Sequence, residues 1–312
     1  MSDHSRQLNR GPAMLTLFLL FAADTSTSRP VIVSVARAES LWVAEAGPGE
    51  PVVLIPRLFG AGYGYRKVVP LLVASGYRAI VIEPLGVGRS GRPARADYSL
   101  TAQADRIGAT LDSLAVSGAI VVAHSVASTM ALRLAIRRPD LVRGIVSLEG
   151  GIAASATTPG FRRAMKFAPL IRLFGGMGAI RGKIRTPILE QSGDTSWVTD
   201  AVVREYTAGA ARDLGATLRA FRAMGRSVEP DSLAPRLRDV ACPVLLLLGQ
   251  APHDGSPPAR ETALLADSIP WFASDTLPAV GHFPHEEAPA LVAAAVDRMR
   301  VTVTVLGPLF RD

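Results

Sequence analysis

Ile120-Val121-Val122-Ala123-His124-Ser125-Val126-Ala127-Ser128-Thr129-Met130 is the stretch from which the rest of the chain can be read. A short run rich in β-branched residues, suited to a buried strand, ends at a serine fenced by small residues. A helix-like pattern follows at once. A strand that turns sharply into a helix and leaves a serine at the apex has the geometry of a nucleophile elbow, usually written G-x-S-x-G. Strand and helix backbones nearly touch there, so the positions two before and two after the serine must be small. Here both are alanine, Ala123 and Ala127. One methyl group each is a modest intrusion, whereas valine would not fit. The competing reading is a serine that merely caps a helix after a buried strand.

Composition narrows the class. The chain has 312 residues, 48% hydrophobic and 20% charged, enough apolar material for a large core. Thirty-four basic against 27 acidic residues give a net charge of +7. The arginines are scattered, with no aromatic-interleaved stripe, so no nucleic-acid partner is expected. Cys242 is the single cysteine, which excludes an intrachain disulfide and any cysteine-based metal cluster. Before Pro243 and an apolar strand, it reads as a buried structural thiol. No H-x-x-x-H or clustered-histidine pattern occurs, so neither a metal nor a cofactor is expected.

Residues 1–39 read as a targeting or disordered segment. Arg6 and Arg10 precede an apolar run, Met14 to Ala23, of signal-peptide length but too short to span a bilayer. Ala36-Arg37-Ala38 has the cleavage pattern but lies late; export is slightly favoured over a cytoplasmic location. The fold proper is expected from residue 40, with strands at Leu41–Ala46, Val52–Ile55, Arg78–Ile82, Ala119–Ala123, Gly144–Leu148 and Val244–Leu248, and helices between most of them. Short apolar strands alternating with helices predict an α/β fold, a mostly parallel, doubly wound sheet covered on both faces. Residues 152–235 break the rhythm with a helix-rich stretch, and an alanine-rich helix from Ala288 to Arg300 closes the domain. The tail, 301–312, alternates valine and threonine and suggests an edge strand or a loose end.

Far downstream, Val280-Gly281-His282-Phe283-Pro284-His285-Glu286 places a histidine on a glycine turn before the terminal helix. With the elbow and with Glu83-Pro84-Leu85-Gly86-Val87-Gly88-Arg89-Ser90, it makes the chain resemble the α/β-hydrolase superfamily over roughly residues 40–150 and 236–300. The resemblance implies a core in two parts, 40–151 and 236–300, with 152–235 as a helical cap inserted after the sixth strand. It implies Ser125 as nucleophile and His282 as its base, since triads on this scaffold run serine, acid, histidine along the chain. The acid is expected in the loop after the seventh strand, where Asp254 comes two residues later than the family pattern would place it, at Pro252. The alternative acid is Glu149, at the end of the sixth strand, from which some relatives supply it.

The oxyanion hole implied by the resemblance uses the backbone N–H groups of Val126 and Leu58. Relatives open the second of these loops with His-Gly; Pro56-Arg57 stands there instead, and proline lacks an N–H and fixes φ. Some rearrangement of that loop is therefore expected, with Arg57 facing outward or toward a substrate anion. The expected substrate-lining set is Arg57, Phe59, His124, Phe161 and Phe167, although the side chain of His124 itself should point away from Ser125. Between Gly150 and Leu189 no acidic residue occurs, while seven basic residues, Arg162 to Arg185, interleave with apolar ones. That suits either a greasy gate for an acyl or anionic substrate or a contact with a lipid surface, or else a cap whose arginines simply face water.

A serine at the elbow disfavours the dehalogenase and epoxide-hydrolase branches, which use aspartate there. Acyl transfer from a small-molecule ester to water is the reaction expected. Two rivals stand beside it. One is a hydrolase-fold protein that only binds, supported by the altered Pro56-Arg57 loop. The other is a dinucleotide-binding domain, because Gly60-Ala61-Gly62 follows a strand and Glu83 ends the next one. Tyr65 at the third glycine position argues against it.

Overall fold

The computed structural model describes residues 29–36, 38–58, 60–157, 163 and 177–306. Eight strands form one sheet: β1 (Arg29–Ala36), β2 (Glu39–Ala46), β3 (Glu50–Ile55), β4 (Tyr77–Glu83), β5 (Ala119–His124), β6 (Val142–Leu148), β7 (Val244–Gly249) and β8 (Phe272–Leu277). Their spatial order is β1-β2-β4-β3-β5-β6-β7-β8. β2 pairs antiparallel with both β1 and β4, and every other pairing is parallel. The sheet is therefore mostly parallel, as expected.

The central strands are buried on both faces, which is why they read as unbroken apolar runs rather than alternating ones. Val53, Ile55, Val121 and Ala123 pack into one core cluster, while Val52, Leu54, Ile120 and Val122 pack into another on the opposite face. Helices cover both sides: α1 (Val68–Ala74), α2 (Leu100–Ser113), α3 (Ala127–Arg137), then α4 (Met177–Glu190), α5 (Asp200–Tyr206), α6 (Ala208–Arg212) and α7 (Leu214–Met224), and finally α8 (Ala259–Ser268), α9 (Pro284–Glu287) and α10 (Pro289–Leu306). Helices α4 to α7 lie between β6 and β7 in the chain, within the stretch read as a cap. Ile188, Trp197, Val202, Val203 and Tyr206 from that stretch form a small third cluster around Phe283.

Two expectations are corrected. The fold begins about ten residues before Ser40, because Arg29–Ala36 adds an antiparallel edge strand to β2. Ala38 lies in the hairpin turn with φ at 64°, so cleavage at Ala36-Arg37-Ala38 would sever β1 from the sheet. The valine–threonine tail is helical as far as Leu306 rather than a strand. Packing overrides β propensity here: Val292, Ala295, Val296 and Met299 are buried at helical spacing, with Val303 set against the same cluster. The Thr302 and Thr304 hydroxyls donate back to the carbonyls of Arg298 and Arg300, at 3.0 and 2.9 Å.

Cys242 is buried, and desolvation pushes its thiol up to about 12, as fits a structural residue. The dinucleotide reading fails on Glu83. Its carboxylate is fully buried and accepts the backbone N–H of Gly62 at 2.7 Å and that of Arg89, tying the loop after β3 to the loop after β4. It has no face left for a ribose.

Candidate active site

Ser125 stands between the end of β5 and the start of α3 with φ at 56°. That left-handed conformation costs a non-glycine residue roughly 1–2 kcal/mol, and it is held by hydrogen bonds on both sides. The Ser125 N–H donates to Leu148 O at 2.8 Å, and its carbonyl accepts Ser128 N–H at 2.9 Å. Ala123 and Ala127 are both fully buried, as the closeness of strand and helix requires. Ser125 is itself partly exposed and lines a cavity of about 340 Å³ with Val126, Glu149, Ile152, Ser256 and Glu261.

Glu149 repeats this geometry one strand over. It follows β6 with φ at 54°, and its side chain is wholly buried. One carboxylate oxygen accepts the Gly249 N–H; the other accepts the Ser256 hydroxyl at 2.6 Å and lies 3.1 Å from His253 Nε2 and 3.8 Å from His282 Nδ1. Burial alone would raise the carboxyl pKa. The contacts from His282, Ser256, the Gly249 N–H and His253 together outweigh it and hold the group below its ordinary value.

His282 is buried, and desolvation lowers its pKa to about 4 despite the opposing pull of Glu149. Its backbone is clamped from two directions. The His282 N–H donates to Gln191 O of the inserted stretch at 2.8 Å, and its carbonyl lies 2.8 Å from His124 Nε2. The backbone of Gly255, with φ at 115°, lies against the imidazole, where an added Cβ would come within 3.2 Å of Nδ1. Nδ1 of His282 has no hydrogen-bond partner. Among the described residues no hydrogen bond joins the Ser125 hydroxyl to the His282 ring.

The preference for Asp254 as the orienting acid does not match this arrangement. Asp254 is exposed and pairs with no described group, because the loop after β7 turns His253 and Ser256 inward instead. The alternative, Glu149, is the carboxylate set beside His282. His124 is likewise not a substrate-lining residue. It is buried, its Nε2 lies against the His282 carbonyl, and its ring packs at a tilt against those of His282 and His285. His285 is a packing residue, against Tyr65 and His124.

Arg57 turns neither freely outward nor to a carboxylate. Its guanidinium carbon lies 5.7 Å from the centre of the Phe283 ring, and desolvation lowers its pKa. The N–H groups of Leu58 and Val126 donate to no backbone acceptor among the described residues. Phe59, Phe161 and Phe167 lie outside the described residues, as do Arg162, Lys166 and Arg172 among the basic positions of the inserted stretch. Of the others, Arg163 is exposed, Arg185 pairs with Asp200 and Arg181 with Thr207.

Sequence reasoning missed His253 and Ser256. The only available signal was their place in the loop expected to carry the acid, and nothing in the pattern showed that they would converge on a carboxylate a hundred residues away.

An α/β sheet with a strained serine after its central strand and a buried histidine–glutamate pair beside it defines a hydrolase scaffold. The family model described as the alpha/beta hydrolase fold matches residues 50–186. A "Magnesium-chelatase 30 kDa subunit" from Rhodobacter capsulatus is 30% identical over 258 residues, 79% of this chain and 86% of that one. An "Epoxide hydrolase" from Caballeronia sordidicola is 35% identical over 111 residues, covering 35% of this chain and about a third (33%) of that enzyme. Among solved structures, wild-type Cfl2 from Burkholderia cenocepacia superposes with a TM-score of 0.70 at 24% identity, covering 91% of this chain and 96% of that one. The chain belongs to the α/β-hydrolase superfamily.

Proposed function

We propose that this α/β hydrolase is a serine hydrolase that cleaves small carboxylic esters through an acyl-enzyme, with Ser125 as nucleophile, His282 as base and Glu149 as orienting acid. The observation that carries the reading is the positive φ of Ser125 at the mouth of a cavity, beside a histidine held between Gln191 O and His124 and next to a buried carboxylate. A serine hydroxyl is a poor nucleophile until a base accepts its proton. In this reading His282 takes that proton as Ser125 Oγ bonds to the ester carbonyl, then returns it to the departing alcohol. Water attacks the acyl-enzyme by the same route. Glu149 stabilises the transient imidazolium, and the 3.8 Å to Nδ1 closes when substrate binds, since such contacts tighten in the reactive complex. The N–H groups of Leu58 and Val126, which meet no backbone acceptor among the described residues, are the donors proposed for the oxyanion, each worth about 3 kcal/mol of transition-state stabilisation.

The test is labelling by a fluorophosphonate, followed by p-nitrophenyl esters of graded chain length. Wild-type protein labels and turns over ester, and Ser125→Ala does neither. Absence of labelling at any pH from 6 to 9 would falsify the reading. Arg57, lacking a carboxylate partner among the described residues, is the residue proposed to meet an anionic group on the substrate. Comparing a neutral ester with the half-ester of a dicarboxylic acid tests it, because Arg57→Gln should erase any preference for the charged one.

A second reading has one observation in its favour: a relative 30% identical and matched over 86% of its length is named as a chelatase subunit. On that reading the chain is a hydrolase-fold partner of a metal chelatase, and the Pro56-Arg57 loop reflects lost catalysis. Co-purification with a magnesium chelatase, together with inert Ser125, would distinguish it.

A further inference from the structure

The groups around Glu149 have a feature that ester hydrolysis does not call for. Three side chains, Glu149, His253 and His282, bring one donor atom each to within 4.8 Å of one another. All three side chains are almost completely buried, at 0%, 2% and 3% exposure. The carboxylate Oε2 lies 3.1 Å from His253 Nε2 and 3.8 Å from His282 Nδ1. Two ligands of a tetrahedral zinc ion at about 2.0–2.1 Å stand about 3.3–3.4 Å apart, so both separations lie within a few tenths of an ångström of that value.

The hydrogen bonds set the chemistry of each donor. His253 Nδ1 lies 2.7 Å from Ala251 O. A carbonyl only accepts, so Nδ1 carries a proton, and Nε2, the nitrogen facing Glu149, is the one a metal would take, releasing any proton shared there with the carboxylate. That is the backbone-carbonyl support found behind metal-binding histidines. His282 Nδ1 is buried without a partner and faces the same carboxylate oxygen. Beyond these three, the Ser256 hydroxyl sits 2.6 Å from Glu149 and 2.9 Å from His253 Nε2, leaving a polar fourth side for water.

We infer that Glu149, His253 and His282 form a regulatory site for a transition-metal dication of the zinc type. Two imidazoles and one carboxylate with an open fourth position suit zinc, or cobalt in its place, and do not suit magnesium, which requires near-octahedral oxygen donors. The consequence for catalysis rests on the function proposed above. An ion on His282 Nδ1 forces the ring proton onto Nε2, and that nitrogen can no longer accept a proton from Ser125. The same ion takes up the carboxylate oxygen that would stabilise the imidazolium. Zinc bound here is therefore an inhibitor, and removing it restores the base.

The experiment uses the full-length, tag-free chain stripped with EDTA. Equilibrium dialysis against zinc, with metal quantified by mass spectrometry, should give one ion per chain. His253→Gln should weaken binding at least tenfold. Cobalt(II) should give the visible absorption of a four-coordinate site in the wild type and lose it in the variant. Should His253→Gln fail to fold, a zinc-soaked crystal of the wild type decides alone, by an anomalous peak between these three side chains. No saturable zinc, or zinc bound equally well without His253, overturns the proposal. Ester turnover should fall with zinc occupancy and recover with EDTA. A chain that binds zinc here yet shows no esterase activity retains the site and discards the proposed catalysis.

Discussion

At the scale of single residues, Glu149 and Asp254 make the clearest contrast. One is buried against the Gly249 N–H, the Ser256 hydroxyl and the His253 ring, and the other projects into solvent. Glu149→Gln should lower kcat by about 10²–10⁴, the upper figure being the cost of losing the orienting carboxylate in the serine-protease example. Asp254→Asn should stay within about twofold, and parallel steady-state kinetics on one ester checks both. Gly255 is a second sensitive point. Its φ of 115° is one that L side chains rarely adopt, and a methyl group there would press on the His282 ring. Gly255→Ala should therefore cost about 1–2 kcal/mol of stability and reduce kcat more than it raises KM. An unchanged kcat would show that the imidazole does not depend on this backbone.

At the scale of elements, the inserted stretch between β6 and β7 does more than lie over the sheet. Its Gln191 carbonyl holds the His282 N–H, the backbone N–H groups of Gly193 and Asp194 donate to Glu287, and its aromatic residues enclose Phe283. The His282 loop and the insertion are thus one packed unit. Phe283 is almost fully buried beside Trp197, with ring centres 5.2 Å apart. Phe283→Ala should cost about 3–5 kcal/mol, as large-to-small aromatic substitutions in cores do, measured as a shift in the urea midpoint. Activity should fall as well, because Phe283 is the next residue to the proposed base, His282. Were the insertion only a lid, Phe283→Ala would leave the midpoint where it was.

At the scale of the molecule, several histidines are folded in as neutral groups. Burial lowers His285 to about 3 and holds His124 well below its ordinary 6.5, and nearby cationic groups add to both effects. The unfolded chain, with histidines near 6.5, binds more protons than the native one between that value and about 3. Stability therefore rises with pH across this window and is lost as pH falls through it. The depressed Glu149 acts in the same direction lower down, since its contribution disappears as the carboxylate is protonated. Denaturant unfolding at pH 7.5 and pH 5 should show a lower midpoint at pH 5. His285→Gln should reduce that difference, and a midpoint that is flat or higher at pH 5 would contradict the burial described above.

Much of this was legible from residues read in order. The unbroken apolar run before Ser125, with alanine on either side of the apex, specifies a buried parallel strand and a tight turn, because both follow from local sterics and period. Gly281-His282 was equally readable, as was the inserted stretch, whose rhythm departs from that of the strands. Other features depended on which distant segments meet. The choice between Glu149 and Asp254 is made by the turn after β7, whose inward side chains no local pattern announces. The tail is helical because Val292, Ala295, Val296 and Met299 find a sheet to cover, although its valines and threonines taken alone favour a strand. Local sterics act over a few residues and are written in the sequence. Convergence on a buried carboxylate is a property of packing, and only the folded chain decides it.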